Sequence, residues 1–265
     1  MLSVDFGVAA PWGLWGTYFA AITVAWTAGH LVTTRIFGRD SRAGGVGGVS
    51  SAFSNLVLLG SPFMLGVFGE EGFEILSLLI AVHLPTMLMA SILLFQFFGR
   101  SESEPVPPSA IVAEFLRKML RNPLVVGILA GLCWRFSGFA LPGLAQRFVD
   151  AFADIAAPLA LFSMGLSLCR FGISGNVRPA LALCGVKLVL MPAVALALVW
   201  AFSLPPLTAM VVVASAALPS GVNSYLIAVQ FGTGQALASN QMTMATLLAA
   251  VTTTLWVGIA QALLA

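Results

Sequence analysis

Long apolar stretches, separated by short polar turns or by turns bearing glycine and proline, run through almost the whole chain. A helix needs about 20 apolar residues to cross a hydrocarbon core about 30 Å thick, so each stretch predicts one membrane span. Eight are read, over residues 14–36, 49–68, 75–98, 123–139, 148–169, 179–202, 205–231 and 236–264. Between the third and fourth lies a polar, proline-rich linker, RSESEPVPPS, at 100–109. An amphipathic piece follows at 111–121, with Glu114, Arg117, Lys118 and Arg121 on its polar side. Such a helix belongs at the membrane surface.

Two spans are interrupted. The seventh contains Pro219, Ser220, Gly221 and Asn223, and the second contains Asn55, Gly60, Ser61 and Pro62. Proline removes a backbone donor and clashes with the preceding turn, and glycine costs about 1 kcal/mol relative to alanine. In lipid, a freed backbone group must be paired inside the protein or must line a watery cavity. A helix broken at membrane depth therefore predicts a use, and the usual one is to aim half-helix ends at a solute. Each interrupted span carries an asparagine, a small-residue cluster and a proline, and each ends in Phe-Gly, at Phe68-Gly69 and Phe231-Gly232. The second span runs outward and the seventh inward, which predicts inverted repeats whose broken helices cross. The units are residues 1–99, with three spans, and 123–265, with five, joined by the segment 100–122. With equal repeats, two spans are missing from the front.

Composition strengthens this picture. The 265 residues are 59% hydrophobic and 8% charged, whereas a soluble domain carries about 25% charged residues. The fold class expected is all-α, a polytopic transmembrane bundle. Arg35, Arg39, Arg42, Arg100, Arg117, Lys118, Arg121, Arg170 and Arg178 fall on one side of the spans, against Arg135 and Arg147 on the other. The positive-inside rule makes the first side cytoplasmic, with both termini outside. The N-terminal segment has no basic region, so no signal peptide is expected. A net charge of +2, with the cations scattered, excludes a nucleic-acid partner. Cys133, Cys169 and Cys184 lie far apart and form no CxxC, so they read as small buried hydrophobes.

Candidate chemistry gathers at the breaks. Half-helix N-termini there each present about +0.5 charge and bind anions. Asn55 and Asn223 donate and accept hydrogen bonds, which suits a carboxylate. Lys187, inside the sixth span, is an intramembrane charge and a functional candidate by default. It either holds the solute's charge, stands in for a coupling cation, or snorkels to the headgroups beside Arg178. His83, deep in the third span, is the candidate for proton coupling, against the plainer reading of a hydrogen-bonded core histidine. Gln241 opens the polar start of the last span and is read as facing the crossover. Trp12, Trp15, Trp200 and Trp256 read as interfacial anchors. There is no HExxH, no buried Asp pair and no His cluster, so neither an enzyme, a metal site nor a cofactor is expected.

Four segments carry a family resemblance: Ala52-Phe53-Ser54-Asn55 through Gly60-Ser61-Pro62, Arg121-Asn122-Pro123-Leu124, Ala157-Pro158-Leu159-Ala160 through Gly165, and Lys187 to Pro192 with Leu218 to Asn223. On these the chain resembles the prokaryotic branch of the auxin efflux carrier family, from about residue 10 to the end. The resemblance implies ten spans in two inverted halves of five, of which this chain holds three and five. It implies a scaffold with a dimer surface, leading to a homodimer when the first two helices are present, and a moving transport bundle. It also implies secondary transport of a small organic anion, an auxin- or malate-like carboxylate, across the inner membrane by alternating access. The solute would sit among Asn55, Gly60, Ser61, Pro62, Pro219, Ser220, Gly221, Asn223, Lys187 and Gln241. The competing readings are a sodium-coupled symporter of the bile-acid type, which shares the crossed helices, and a non-transporting fragment.

Overall fold

The computed structural model describes residues 12–98, 123–170 and 176–264, with five further positions between 109 and 120. The linker 100–122 therefore falls largely outside the described residues. Every regular element among the described residues is a helix. α1, Trp12–Leu31, continues through a π-helical turn, Val32–Ile36. α2 covers Ser41–Ala52. A break follows, then a π-helical turn, Leu56–Gly60, leads into α3, Ser61–Phe98. α3 turns sharply at Gly69, whose φ of 67° suits a residue without Cβ. α4 is Pro123–Ser137 and α5 is Gly143–Arg170. α6, Val177–Gly185, and α7, Met191–Ala201, are joined by the π-helical turn Val186–Leu190. α8, Pro206–Ala217, ends in the second break, and α9, Val222–Gln230, and α10, Gln235–Leu264, close the chain.

Leu56–Phe95, Val177–Ala201 and Gln235–Leu264 are each long and apolar enough to cross a membrane. Two stretches repeat a plan. α1 with its turn covers 12–36 and α6 with α7 covers 177–201; each leads through a short link into a 12-residue helix that ends in a break. At one end of the bundle Arg42 donates to the Phe231 carbonyl at 2.9 Å and Arg39 to the Asn176 side chain. This is the end to which the charge count assigns these residues.

Two boundaries differ from expectation. The second element begins at Ser41 rather than at 49, because Asp40 caps it by accepting from the Ala43 N–H at 2.8 Å. Its first two turns are rich in glycine, a poor helix former, and pack closely against α1 and its turn. The fifth begins at Gly143 rather than at 148.

Glycine sets the α1–α2 distance. A Cβ on Gly29 would lie 2.6 Å from the Gly47 carbonyl oxygen and 2.7 Å from the Ser51 Cβ. Backbone cannot yield there as a flexible side chain would. Gly29→Ala is expected to destabilise by about 1–3 kcal/mol. In detergent, that should lower the melting midpoint by several degrees, at about 2–4 °C per kcal/mol. An unchanged midpoint would show that the two helices separate without cost.

The core lies where α1, α2, α8 and α10 meet, with Tyr18, Val49, Val212, Ala216 and Ala238 fully buried. By contrast, Phe148, Phe152, Ile155, Leu159, Phe162 and Leu166 recur every three or four residues along α5 and are all exposed. α5 touches the Leu56–Gly60 turn and α3, so this face is left to lipid or to another helix.

Candidate solute site at the helix crossover

The two breaks cross antiparallel, with Ser54 paired to Ser220. The Asn55 N–H donates to the Pro219 carbonyl at 2.9 Å, and the Gly221 N–H donates to the Phe53 carbonyl at 3.4 Å. Backbone groups released by one helix are thus satisfied by the other, as the membrane interior demands. Pro219 fits because only its carbonyl is used. Gly221 fits because a Cβ there would meet the Asn55 Cβ and Cγ at 3.3 Å.

Three of the helix ends at the crossing, those of α2 and α8 and the start of the turn into α3, have side-chain partners, while the start of α9 has none. Asn55 Oδ1 accepts from the Leu58 N–H at 3.2 Å and caps the turn that opens α3. The Ser220 hydroxyl donates to the Ser50 carbonyl near the end of α2, and Gln241 Nε2 donates to Ser220 Oγ at 2.9 Å. At the end of α8, Lys187 Nζ donates to the Ala216 carbonyl at 2.8 Å and Thr253 Oγ1 to the Ala217 carbonyl at 2.9 Å. The Lys187 ammonium also donates to Ser54 Oγ at 2.7 Å and sits 3.1 Å from Met191 Sδ. A cation at a helix C-terminus meets the negative pole of the helix dipole. Here one ammonium bonds the end of α8 and the opposite break together.

Beside the crossing lies a cavity of about 370 Å³. Its polar wall is Ser54, Asn55, His83 and Asn223; the rest is Phe53, Leu56, Val57, Leu58, Ile80, Leu84 and Val222. Asn55 stands ahead of one half-helix and Asn223 in the first turn of another, so two N-termini border one space. His83 is buried, with its ring 4.9 Å from Phe53 and 5.6 Å from Tyr18. The Ser54 backbone lies beside it, outside hydrogen-bonding geometry, and neither ring nitrogen has a protein partner. Tyr18, fully buried, holds its hydroxyl beside the Ser54 side chain. A second cavity, about 410 Å³, lies against Pro62, Phe63, Pro219, Thr246 and Thr253. Apolar walls with a few convergent polar groups are the ordinary make-up of a small-molecule site, and the first cavity has it.

Over residues 6–257 the sequence matches the family described as "Membrane transport protein". The chain belongs to that family. It is 29% identical over 221 residues to a Rhizobium meliloti protein named "Putative malonate transporter", covering 78% of this chain and 64% of the relative. It is 26% identical over 168 residues to Auxin efflux carrier component 1 of Arabidopsis thaliana, covering 59% of this chain and 27% of that one. An uncharacterized transporter of Methanothermobacter thermautotrophicus is 25% identical over 208 residues, covering 78% and 65%. These relatives bear out the resemblance to the auxin efflux carriers. The chain spans less than two thirds of the length of each.

In this membrane transport protein the expected site residues divide. Asn55, Asn223 and His83 line the first cavity together. Lys187 is fully buried, which corrects the snorkelling alternative, and reaches the cavity wall through Ser54. Ser220, Gly221 and Gln241 build the crossing from behind and do not line that cavity. Pro62 and Pro219 border the second cavity instead. Gly60 packs under Leu218, and Ser61 Oγ reaches the Leu56 carbonyl at 3.5 Å. Pairing Pro62 with Pro219 as the two helix breakers is corrected as well. The first break falls at Phe53 to Asn55, while Pro62 lies inside the helix that runs on from Leu56, just after the π-helical turn Leu56–Gly60. Trp15 and Trp256 donate to the Leu78 and Leu188 carbonyls at 3.1 and 2.8 Å, tying helices together rather than only anchoring them. Ser54 and Tyr18 were not singled out from the sequence. Ser54 carried a signal, a hydroxyl beside Asn55 in a broken span, but Tyr18 had none.

Proposed function

We propose that this membrane transport protein is a secondary transporter of a small organic anion, a mono- or dicarboxylate. The carrying observation is the cavity at the crossing, where Asn55 and Asn223 from two half-helices share one wall with His83. The solute carboxylate accepts from the asparagine amides and the helix N-termini. The buried Lys187 ammonium, one hydroxyl away, supplies the balancing charge. The bundle that carries the crossing rocks or slides against α4 and α5 in the cytoplasmic membrane. The exposed apolar face of α5 suits a homodimer contact. Drive comes from the membrane potential or from a proton gradient, with His83 as the proton-sensitive group in the wall.

The sodium-coupled reading is weakened by the same geometry. A sodium ion needs several oxygen ligands, and the ammonium of Lys187 already takes the Ala216 carbonyl and the Ser54 hydroxyl at the crossing. Uptake of labelled malonate by proteoliposomes tests both readings. Asn223→Ala should lower uptake at least about tenfold, the loss of one hydrogen bond to a charged group worth about 1.5–3 kcal/mol. Replacing sodium by choline should leave uptake unchanged. Parent-like uptake by the variant would remove Asn223 from the site, and loss of uptake in choline would favour the sodium symporter.

A further inference from the structure

Arginines from both halves of the chain meet at one end of the bundle, the end that the charge count assigns to the cytoplasm. Arg35 lies in the π-helical turn Val32–Ile36, Arg39 and Arg42 flank the start of α2, and Arg178 lies in the first turn of α6. Both that turn and α2 touch α6, so the four side chains belong to one patch. Arg35, Arg42 and Arg178 are exposed, and Arg39 is half-buried.

The charge of this patch is poorly matched from within. Arg39 donates to the Asn176 side chain and Arg42 to the Phe231 carbonyl at 2.9 Å, and both acceptors are neutral. Among the described residues the carboxylate at this end is Asp40, whose side chain accepts from the Ala43 N–H as the cap of α2. Four guanidiniums against one carboxylate leave an excess of three positive charges. The positive-inside rule asks only that basic residues lie on one side. It does not ask that they gather or be held in place. Here Asn176, the residue before α6, spends its side-chain oxygen on Arg39 and not on capping the helix. Arg39 is thereby fixed two residues from Arg178, and part of the ordering that a ligand would have to impose is already done.

A guanidinium fork matches phosphate oxygens with two parallel N–H groups. Arg178 opens Val177–Ala201, a helix long enough to cross a membrane, so the patch lies at the level of the lipid headgroups. Basic pockets between helices on the cytoplasmic side attract anionic lipid. We propose that this patch binds the phosphate headgroup of an anionic phospholipid, which clamps Arg35 and Arg39 of the first unit to Arg178 of the second. None of the four arginines lines either cavity, so the proposal stands apart from the solute reading.

The test is native mass spectrometry of the whole protein released from neutral detergent, titrated with phosphatidylglycerol and with phosphatidylcholine of the same chains. The parent should bind phosphatidylglycerol roughly a hundredfold more tightly, as three excess basic groups allow. Arg35→Gln/Arg178→Gln should weaken that binding about thirtyfold. Neither arginine makes a hydrogen bond among the described residues, so the fold does not depend on them. Arg147→Gln, at the opposite end, should bind as the parent does. An undiminished preference for phosphatidylglycerol in the double variant would overturn the proposal. Equal loss from Arg147→Gln would overturn it too, since net charge rather than this patch would then be read. So would displacement of the lipid by excess inorganic phosphate, since the site would then take a free anion.

Discussion

Replacing Lys187 with methionine is expected to lower uptake roughly a hundredfold, about 2.7 kcal/mol at 1.36 kcal/mol per decade. Methionine matches the stem in length and is at home in lipid, so the variant removes the ammonium with little change in packing. What is lost is the formal charge facing the solute, together with the donors to Ser54 Oγ, Met191 Sδ and the Ala216 carbonyl. The last is a buried helix end, and leaving it without its donor costs about 1–3 kcal/mol of stability. The methionine variant should therefore melt lower as well. Lys187→Gln separates the two effects. A glutamine amide still offers a donor to Ser54 or Ala216 but brings no charge, so its melting midpoint should lie near the parent's while its uptake stays low. Parent-like uptake by the glutamine variant would make Lys187 a fastener of the crossing and leave the solute's charge to the helix N-termini alone.

Lys187 shows how far the sequence could be read. A lysine inside an apolar span is visible from the chain, because charge at membrane depth is rare. Its partners are not visible. Ser54 lies 133 residues away and Ala216 lies 29 away, and only the crossing brings them to one nitrogen. The spans were legible because lipid requires long apolar runs, and the expected limits of 14–36 and 236–264 differ from the helices by a few residues at most. The start of α2 was hidden because glycines at Gly44, Gly45, Gly47 and Gly48 have no local helix signal. Their use is a close approach by α1 and its turn at Gly44, Gly47 and Gly48, and by Phe95 of α3 at Gly45, which is a tertiary fact. Pro62 misled for a related reason. Proline marks a point where an N–H is dispensable, and that is true beside a π-helical turn such as Leu56–Gly60 as well as of a break.

The same reasoning explains why the breaks themselves are rigid. Ser54 and Asn55 are bonded across to Ser220 and Pro219, and the ends of α2 and α8 are held by Ser220 and by Lys187 with Thr253. The N-terminus of α9 has no side-chain cap, and it borders the cavity through Val222 and Asn223. In the transporter proposed above, that end is the one left for the solute.

Asn55→Asp should abolish anion uptake while leaving the fold intact, and it separates the two tasks of this residue. Asparagine and aspartate are about equally good N-caps, and a negative charge at a helix N-terminus is favourable by about 0.3–1 kcal/mol. Leu58 N–H thus keeps its acceptor, and the melting midpoint should hold or rise. The solute meets a different wall. A carboxylate replaces an amide that can donate, and it places a fixed negative charge in the cavity that receives the anion. Two like charges about 4 Å apart repel by about 4 kcal/mol at an effective dielectric of 20, enough to lower uptake by roughly a thousandfold. The new carboxylate also sits next in sequence to Ser54 and within reach of the field of Lys187, so it takes for itself the charge meant for the solute. Uptake of labelled malonate and thermal melting, measured on the same preparation, decide the point. Retained uptake with a raised midpoint would mean that Asn55 is a helix cap and nothing more. The solute would then have to be sought at the second cavity, against Pro62, Pro219 and Thr246.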